Sequence, residues 1–277
     1  MIAWSPEFTT RPELCGTFGM AASTHWIASA VAMSVLEKGG NAFDAAVAAG
    51  FVLQVVEPHL NGPGGEVPLI VWEAQSQRAR VLCGQGPAPA GATLAHYRDT
   101  LGLDLVPGTG LLAACVPGAF DAWMLLLHDL GTMSAAEALA PAIAYARDGI
   151  PVLPRLSATI ASVEPLFRQE WTTSAALFLP GGAVPLPGTL FRNRALAETY
   201  ARIARASEAG GGSREQRIER ARRTWAEGFV AETIDRFVRE TEAFDTSGRR
   251  NRGVLTGQDM ARFRANGRSH WPMTMAV

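Results

Sequence analysis

Small and apolar residues recur every three or four positions along residues 26–38 and again along 42–56, the spacing of helices. Gly39-Gly40 suits the C-terminal end of the first helix, and Asn41 suits the N-cap of the second, with Asp44 in its first turn. Residues 42–56 are nearly all small or apolar, which predicts a helix buried on most sides. Segment 18–23 reads as a short buried strand. Beyond a glycine-rich stretch at 61–65, residues 67–72 and 78–83 carry strand patterns. The polar Gln75-Ser76-Gln77 between them predicts an antiparallel hairpin.

Stretch 84–91 is again rich in glycine and proline. Residues 118–130 and 134–148 read as helices, the second opened by the capping-box pattern Ser134-Ala-Ala-Glu137. A Pro/Gly loop at 180–188 and a flexible linker at 210–213 follow, then one charged amphipathic helix to about residue 242. Thr256-Gly-Gln-Asp259 opens a further short helix, and there is no internal repeat.

The 277 residues, 48% hydrophobic and 18% charged, describe a globular chain that can bury a sizeable core. With a formal net charge of -1 there is no basic excess to attract nucleic acid. Lys38 is the sole lysine beside 24 arginines, and it precedes a glycine where a phosphate-binding loop needs it to follow one. Cys15, Cys83 and Cys115 are too widely spaced for a CxxC zinc or redox motif and suit free thiols in a reducing compartment. The N-terminal residues 1–16 have neither a basic region nor a long apolar core. No signal peptide or membrane contact is therefore expected, and the cytoplasm is the default location.

Local chemistry leaves few candidates. Gly108-Thr-Gly110-Leu-Leu-Ala113 matches a dinucleotide fingerprint, but Pro117-Gly118 interrupts the helix that should follow. His25, His59, His96, His128 and His270 show no metal-ligand spacing, so no metal or cofactor is expected. No GxSxG elbow is present. Asp44 and Glu57 are better explained as a helix cap and a helix end than as a catalytic pair. The loop at 61–65 is left with two readings: a tight turn for strand–helix packing, or backbone lining a substrate cleft.

Several stretches resemble the large-subunit portion of the gamma-glutamyltranspeptidase (glutathione hydrolase) family. "LEKGGNAFDAAVAAGFVLQVVEPH" is similar to the family's GGNAxDAAVA helix pair, and "NGPGGEVPLIVWE" to its glycine-rich loop entering a strand. "VPGAFDAWMLLLHDLGTMSAAEALAPAIAYARDGIPV", "TWAEGFVAETIDRFV" and "LTGQDMARFRA" follow in the family's order. The resemblance implies an α+β fold: a four-layer αββα sandwich of the N-terminal-nucleophile hydrolase type, incomplete over this single domain of residues 1–277. It also implies a precursor that cleaves itself before a threonine. The new amine and hydroxyl then act as base and nucleophile, because an amine near neutral pKa can activate the adjacent hydroxyl. The implied partners are a small-molecule amide and the protein's own small subunit.

The chain departs from the family pattern twice. The cleavage threonine and small subunit are expected downstream of 271–277, so none of the threonines present, Thr256 and Thr274 included, is assigned as nucleophile. Alone, the chain is expected to be inactive; the alternative expectation is a truncated remnant acting at most as an interaction partner. The second departure concerns the family's Arg-Glu-x-Ala-Pro, whose arginine holds the α-carboxylate of a glutamyl substrate. Aligned on Ala88-Pro89, that pattern places Gln85 at the arginine and Gly86 at the glutamate. Gln85 is thereby the candidate substrate-binding residue, with a neutral amide in place of a charged bidentate fork. Losing a charged bond costs about 1.5–3 kcal/mol, roughly tenfold to a hundredfold in affinity. The expected substrate is an amide other than a typical gamma-glutamyl compound, of oxamate or acylase type. The competing reading makes Gln85 a plain loop residue, with Arg78, Arg80 or Arg98 supplying the positive charge.

Overall fold

The computed structural model describes residues 14–268. Helix α1 (Trp26–Glu37) is capped by an unexpected group: the His25 ring nitrogen Nδ1 accepts the Ile27 N–H at 3.1 Å. Gly39, at φ +91°, turns the chain out of α1. In α2 (Ala42–Val56) the Asn41 side chain accepts the N–H groups of Phe43 and Asp44, and Asp44 accepts the Asn41 N–H in return at 2.9 Å. The Asn41 cap is what the sequence predicted, the return bond to Asp44 adds to it, and α2 is buried along nearly its whole length. It packs on α1, α3 (Ala119–Leu130) and α4 (Ala135–Asp148). Gly50 is where the Trp123 indole crosses α2, since a Cβ there would lie 2.5 Å from the ring. Phe51 meets the rings of Phe120 and Tyr200, each 5.5 Å away, and Phe120 stacks on Trp225 at 4.6 Å.

The expected hairpin forms from β1 (Val67–Glu73) and β2 (Arg78–Gly84), antiparallel with Leu69 opposite Leu82. Alternation sends Val67, Leu69, Leu82 and Gly84 toward α3 and sends Pro68, Ile70 and Trp72 to the opposite face. That second face is open: Ile70 is 73% exposed. Two small pairs join β3 (Ile150–Pro151) to β4 (Leu190–Phe191) and β5 (Ala243–Phe244) to β6 (Arg250–Asn251). β7 (Asn266–Arg268) returns to the hairpin beside β2.

Three elements differ from the sequence reading. Segment 18–23 is not a strand, and its Phe18 and Met20 are exposed. A strand needs a neighbour for its backbone groups, and none of the described strands pairs with it. The charged helix after residue 213 is two helices, α8 (Arg214–Ala226) and α9 (Phe229–Glu240), broken where Gly228 turns extended. Residues 150–210 hold three helices that the pattern did not reveal: α5 (Pro154–Gln169), α6 (Thr172–Phe178) and α7 (Arg194–Glu208). Helix α10 (Gly257–Arg262) starts as expected, with Thr256 and Asp259 closing a capping box. A buried ion pair ties α8 to α3: Arg222 donates from two nitrogens to Asp121 at 2.8 and 3.0 Å, and Asp121 also accepts the Ala265 N–H.

Candidate functional site

The two glycine-rich stretches meet at the N-terminus of α3. Gly62 and Gly65 close a turn through a 3.0 Å bond, and the Gly65 carbonyl then accepts the N–H groups of Gly118 and Ala119 at 3.1 and 3.0 Å. Those donors would otherwise be unpaired at the start of the helix. Of the two readings open for this loop, packing is the one these bonds serve.

The segment after β2 crosses the approach to α3 at backbone contact. A Cβ on Gly86 would sit 1.7 Å from the Val116 carbonyl oxygen, and one on Gly118 would sit 2.2 Å from that of Gly84. Val116 donates its N–H to the Pro87 carbonyl at 3.0 Å, and Ala90 donates to the Asp259 carboxylate at 3.0 Å. Burial alone would raise the Asp259 pKa, but bonds from the Thr256 hydroxyl and the Ala90 and Thr256 N–H groups hold it below the ordinary value. The loop is thus fixed at both ends by contacts remote in sequence.

Gln85 stands between the buried Gly84 and the half-buried Gly86, and its side chain is exposed. Among the described residues its side chain has one hydrogen-bond contact, from the Cys83 thiol to Oε1 at 4.0 Å. Arg80 pairs with Glu73 at 2.8 Å. Gln85 lies five positions beyond Arg80, about 17 Å at the usual strand rise, and Arg78 lies further still. Arg98 is exposed on the single π-helical turn Ala95–Thr100. No described contact brings any of the three to Gln85.

The other candidates fall where local structure needs them. Residues 108–118 contain no helix, so the fingerprint lacks the context it requires. Asp44 is fully buried and accepts four bonds, from the Asn41, Thr132 and Met133 N–H groups and the Thr132 hydroxyl. Burial opposes its ionisation, yet these donors hold its pKa below the ordinary value. Glu57, also buried, accepts the Thr24 hydroxyl and lies near His25 and His59. Burial lowers the pKa of both imidazoles against the pull of Glu57. His25 Nε2 and both His59 ring nitrogens are buried with no partner among the described residues. His270 and Thr274 lie outside the described residues.

Sequence reading missed the crossing of Gly84 and Gly86 with Gly118, and the pin from Asp259. Gly-Gln-Gly at 84–86 and Pro-Gly at 117–118 were the available signals, but no spacing rule relates them.

Residues 28–277 match the family model described as Gamma-glutamyltranspeptidase. Over 194 residues the chain is 35% identical to the glutathione hydrolase-like YwrD proenzyme of Bacillus subtilis, covering 69% of this chain and 36% of the relative. It is 36% identical over 195 residues to the oxamate amidohydrolase proenzyme of Klebsiella pneumoniae, covering 68% and 36%. The solved structure of LmbA2991T421A superposes with a TM-score of 0.90 at 57% identity, over 95% of this chain and 44% of that one. The chain therefore spans about a third of the length of these two curated relatives. Its fold is the α+β fold of N-terminal-nucleophile hydrolases. The helix pair from α1 to α2, the glycine loop that caps α3 and the family model's reach across 28–277 establish one conclusion: the chain belongs to the gamma-glutamyltranspeptidase family.

Proposed function

We propose that this chain is the large-subunit portion of an amide-bond hydrolase or acyl transferase that uses a threonine generated downstream, and that its substrate is not a typical gamma-glutamyl compound. The carrying observation is the exposed, uncharged Gln85 held between two glycines that leave no room for a side chain. Where the family pattern has a guanidinium to hold a carboxylate, this loop offers one amide. Its NH2 can donate to an oxygen beside the scissile amide, such as a carboxylate oxygen of an oxamate-type substrate, without supplying a full positive charge. A relative named for oxamate hydrolysis supports that substrate class.

The chemistry assigned to the complete protein is acyl transfer. The threonine hydroxyl attacks the amide carbonyl, its own amine takes the proton, and the amine product leaves as the acyl-enzyme forms. Water or a second amine then releases the acyl group. The open face of β1 and β2 supports a second polypeptide portion, because an apolar sheet face is stable only when covered.

The test begins with intact mass measurement of the product of the complete reading frame. Two fragments are expected, the smaller beginning with threonine; a single uncleaved product refutes the proposal. With the processed protein, Gln85→Arg should raise kcat/KM for a gamma-glutamyl anilide by roughly tenfold to a hundredfold. A native protein already as active on that anilide as its Gln85→Arg variant would refute the role of Gln85.

A further inference from the structure

The loop that carries Gln85 also forms one wall of a groove of about 440 Å³. Ala88 and Pro89 make that wall, while Leu94, Tyr97, Leu105 and Leu112 supply much of its apolar lining. We propose that this groove receives an uncharged alkyl or aryl acyl chain of the amide substrate whose reacting end lies at Gln85. The inference rests on the amidase reading above.

Several observations favour that occupant. The groove falls within the usual size range of small-molecule sites. Its floor is fixed: Tyr97, almost fully buried, donates its hydroxyl to the Leu112 carbonyl at 2.7 Å, and Leu112 itself is buried. Its rim is apolar and open, with Leu94 66% and Leu105 83% exposed, which is costly in water unless something is bound. Among its lining residues the one charged side chain is Asp104, an anion, so the groove offers no cation to hold a carboxylate and suits an uncharged chain. The same wall continues through Pro87 to Gln85, fixed by the bonds to Val116 and Asp259. A chain lying in the groove therefore leads toward Gln85 along backbone held by those bonds.

The experiment uses the complete, processed protein and anilides of acetic, butyric and hexanoic acid. Each added methylene should raise kcat/KM roughly fourfold, as a buried methylene does. Ala114 lines the groove, so Ala114→Trp should fill it and collapse the hexanoyl-to-acetyl ratio toward one. Because that variant risks misfolding, saturation-transfer NMR with uncleaved hexanamide gives a second readout. Its alkyl protons should receive saturation from the unmodified protein and lose it in Leu94→Asp, a change at an exposed rim position. Amide cleavage that ignores chain length would overturn the groove assignment and leave the amidase reading intact. Hexanamide contact without cleavage of any anilide would support the groove and count against the amidase reading. Absence of both the chain-length effect and the contact overturns the assignment.

Discussion

Replacing Asp44 by asparagine tests whether this residue, set inside the family's most recognisable stretch, is structural. Its Oδ1 accepts from Thr132 and Met133 N–H at 2.8 and 3.0 Å; its Oδ2 accepts from Asn41 N–H and the Thr132 hydroxyl at 2.9 and 2.7 Å. An amide can keep the first pair through its oxygen, but those bonds lose their charge, about 1 kcal/mol each. Its NH2 would face the second pair. The Thr132 hydroxyl can rotate to accept, whereas the Asn41 N–H cannot, and a stranded buried donor costs about 1–3 kcal/mol. Removing the negative charge from the first turn of α2 adds about 0.3–1 kcal/mol. The sum, roughly 3–6 kcal/mol, is reduced because an amide is less costly to bury than a carboxylate, leaving about 2–4 kcal/mol.

Urea unfolding of the complete protein should then show a midpoint lower by about 1–2 M for a slope near ~2 kcal/mol/M. The pH dependence has a definite sign. A carboxyl whose folded pKa is depressed adds stability above its unfolded value, near ~3.9, and loses it as pH falls through the folded pKa. The stability gap between the native protein and its Asp44→Asn variant should accordingly narrow below about pH 3.9. A midpoint shift worth under about 0.5 kcal/mol would refute this accounting. So would lost catalysis in a variant that remains fully folded.

Gly86→Ala should displace the Gln85 loop, because its Cβ would fall inside the Val116 carbonyl; KM for the amide substrate should rise more than about tenfold, or the protein should fail to fold. Unchanged kinetics would refute the crossing. Arg222→Met strands the buried Asp121 carboxylate and should cost about 3–5 kcal/mol in urea unfolding, with much of the loss recovered when Asp121→Leu is added. Equal losses in the single and double variants would argue against the pair. In the isolated chain the open sheet face should bind a hydrophobic dye, and Ile70→Glu should weaken that binding while leaving far-ultraviolet circular dichroism unchanged.

Local rules read from the sequence alone account for a large share of the fold. The C-terminal end of α1, the Asn41 cap of α2, the helix starts at Ser134 and Thr256 and the β1–β2 hairpin depend on groups within a few residues of one another. Such contacts form wherever the segment lies, which is why periodicity and cap residues sufficed. The Gln85 position followed from resemblance and the family's spacing. What surrounds it did not. The crossing of Gly86 over Val116, the Asp259 bond to Ala90 across 169 residues and the Arg222–Asp121 pair across 101 exist only once the chain has wrapped. Segment 18–23 shows the same limit from the other side. Its composition suits a strand, yet strand character is completed by a neighbour's hydrogen bonds, and among the described residues no strand supplies them.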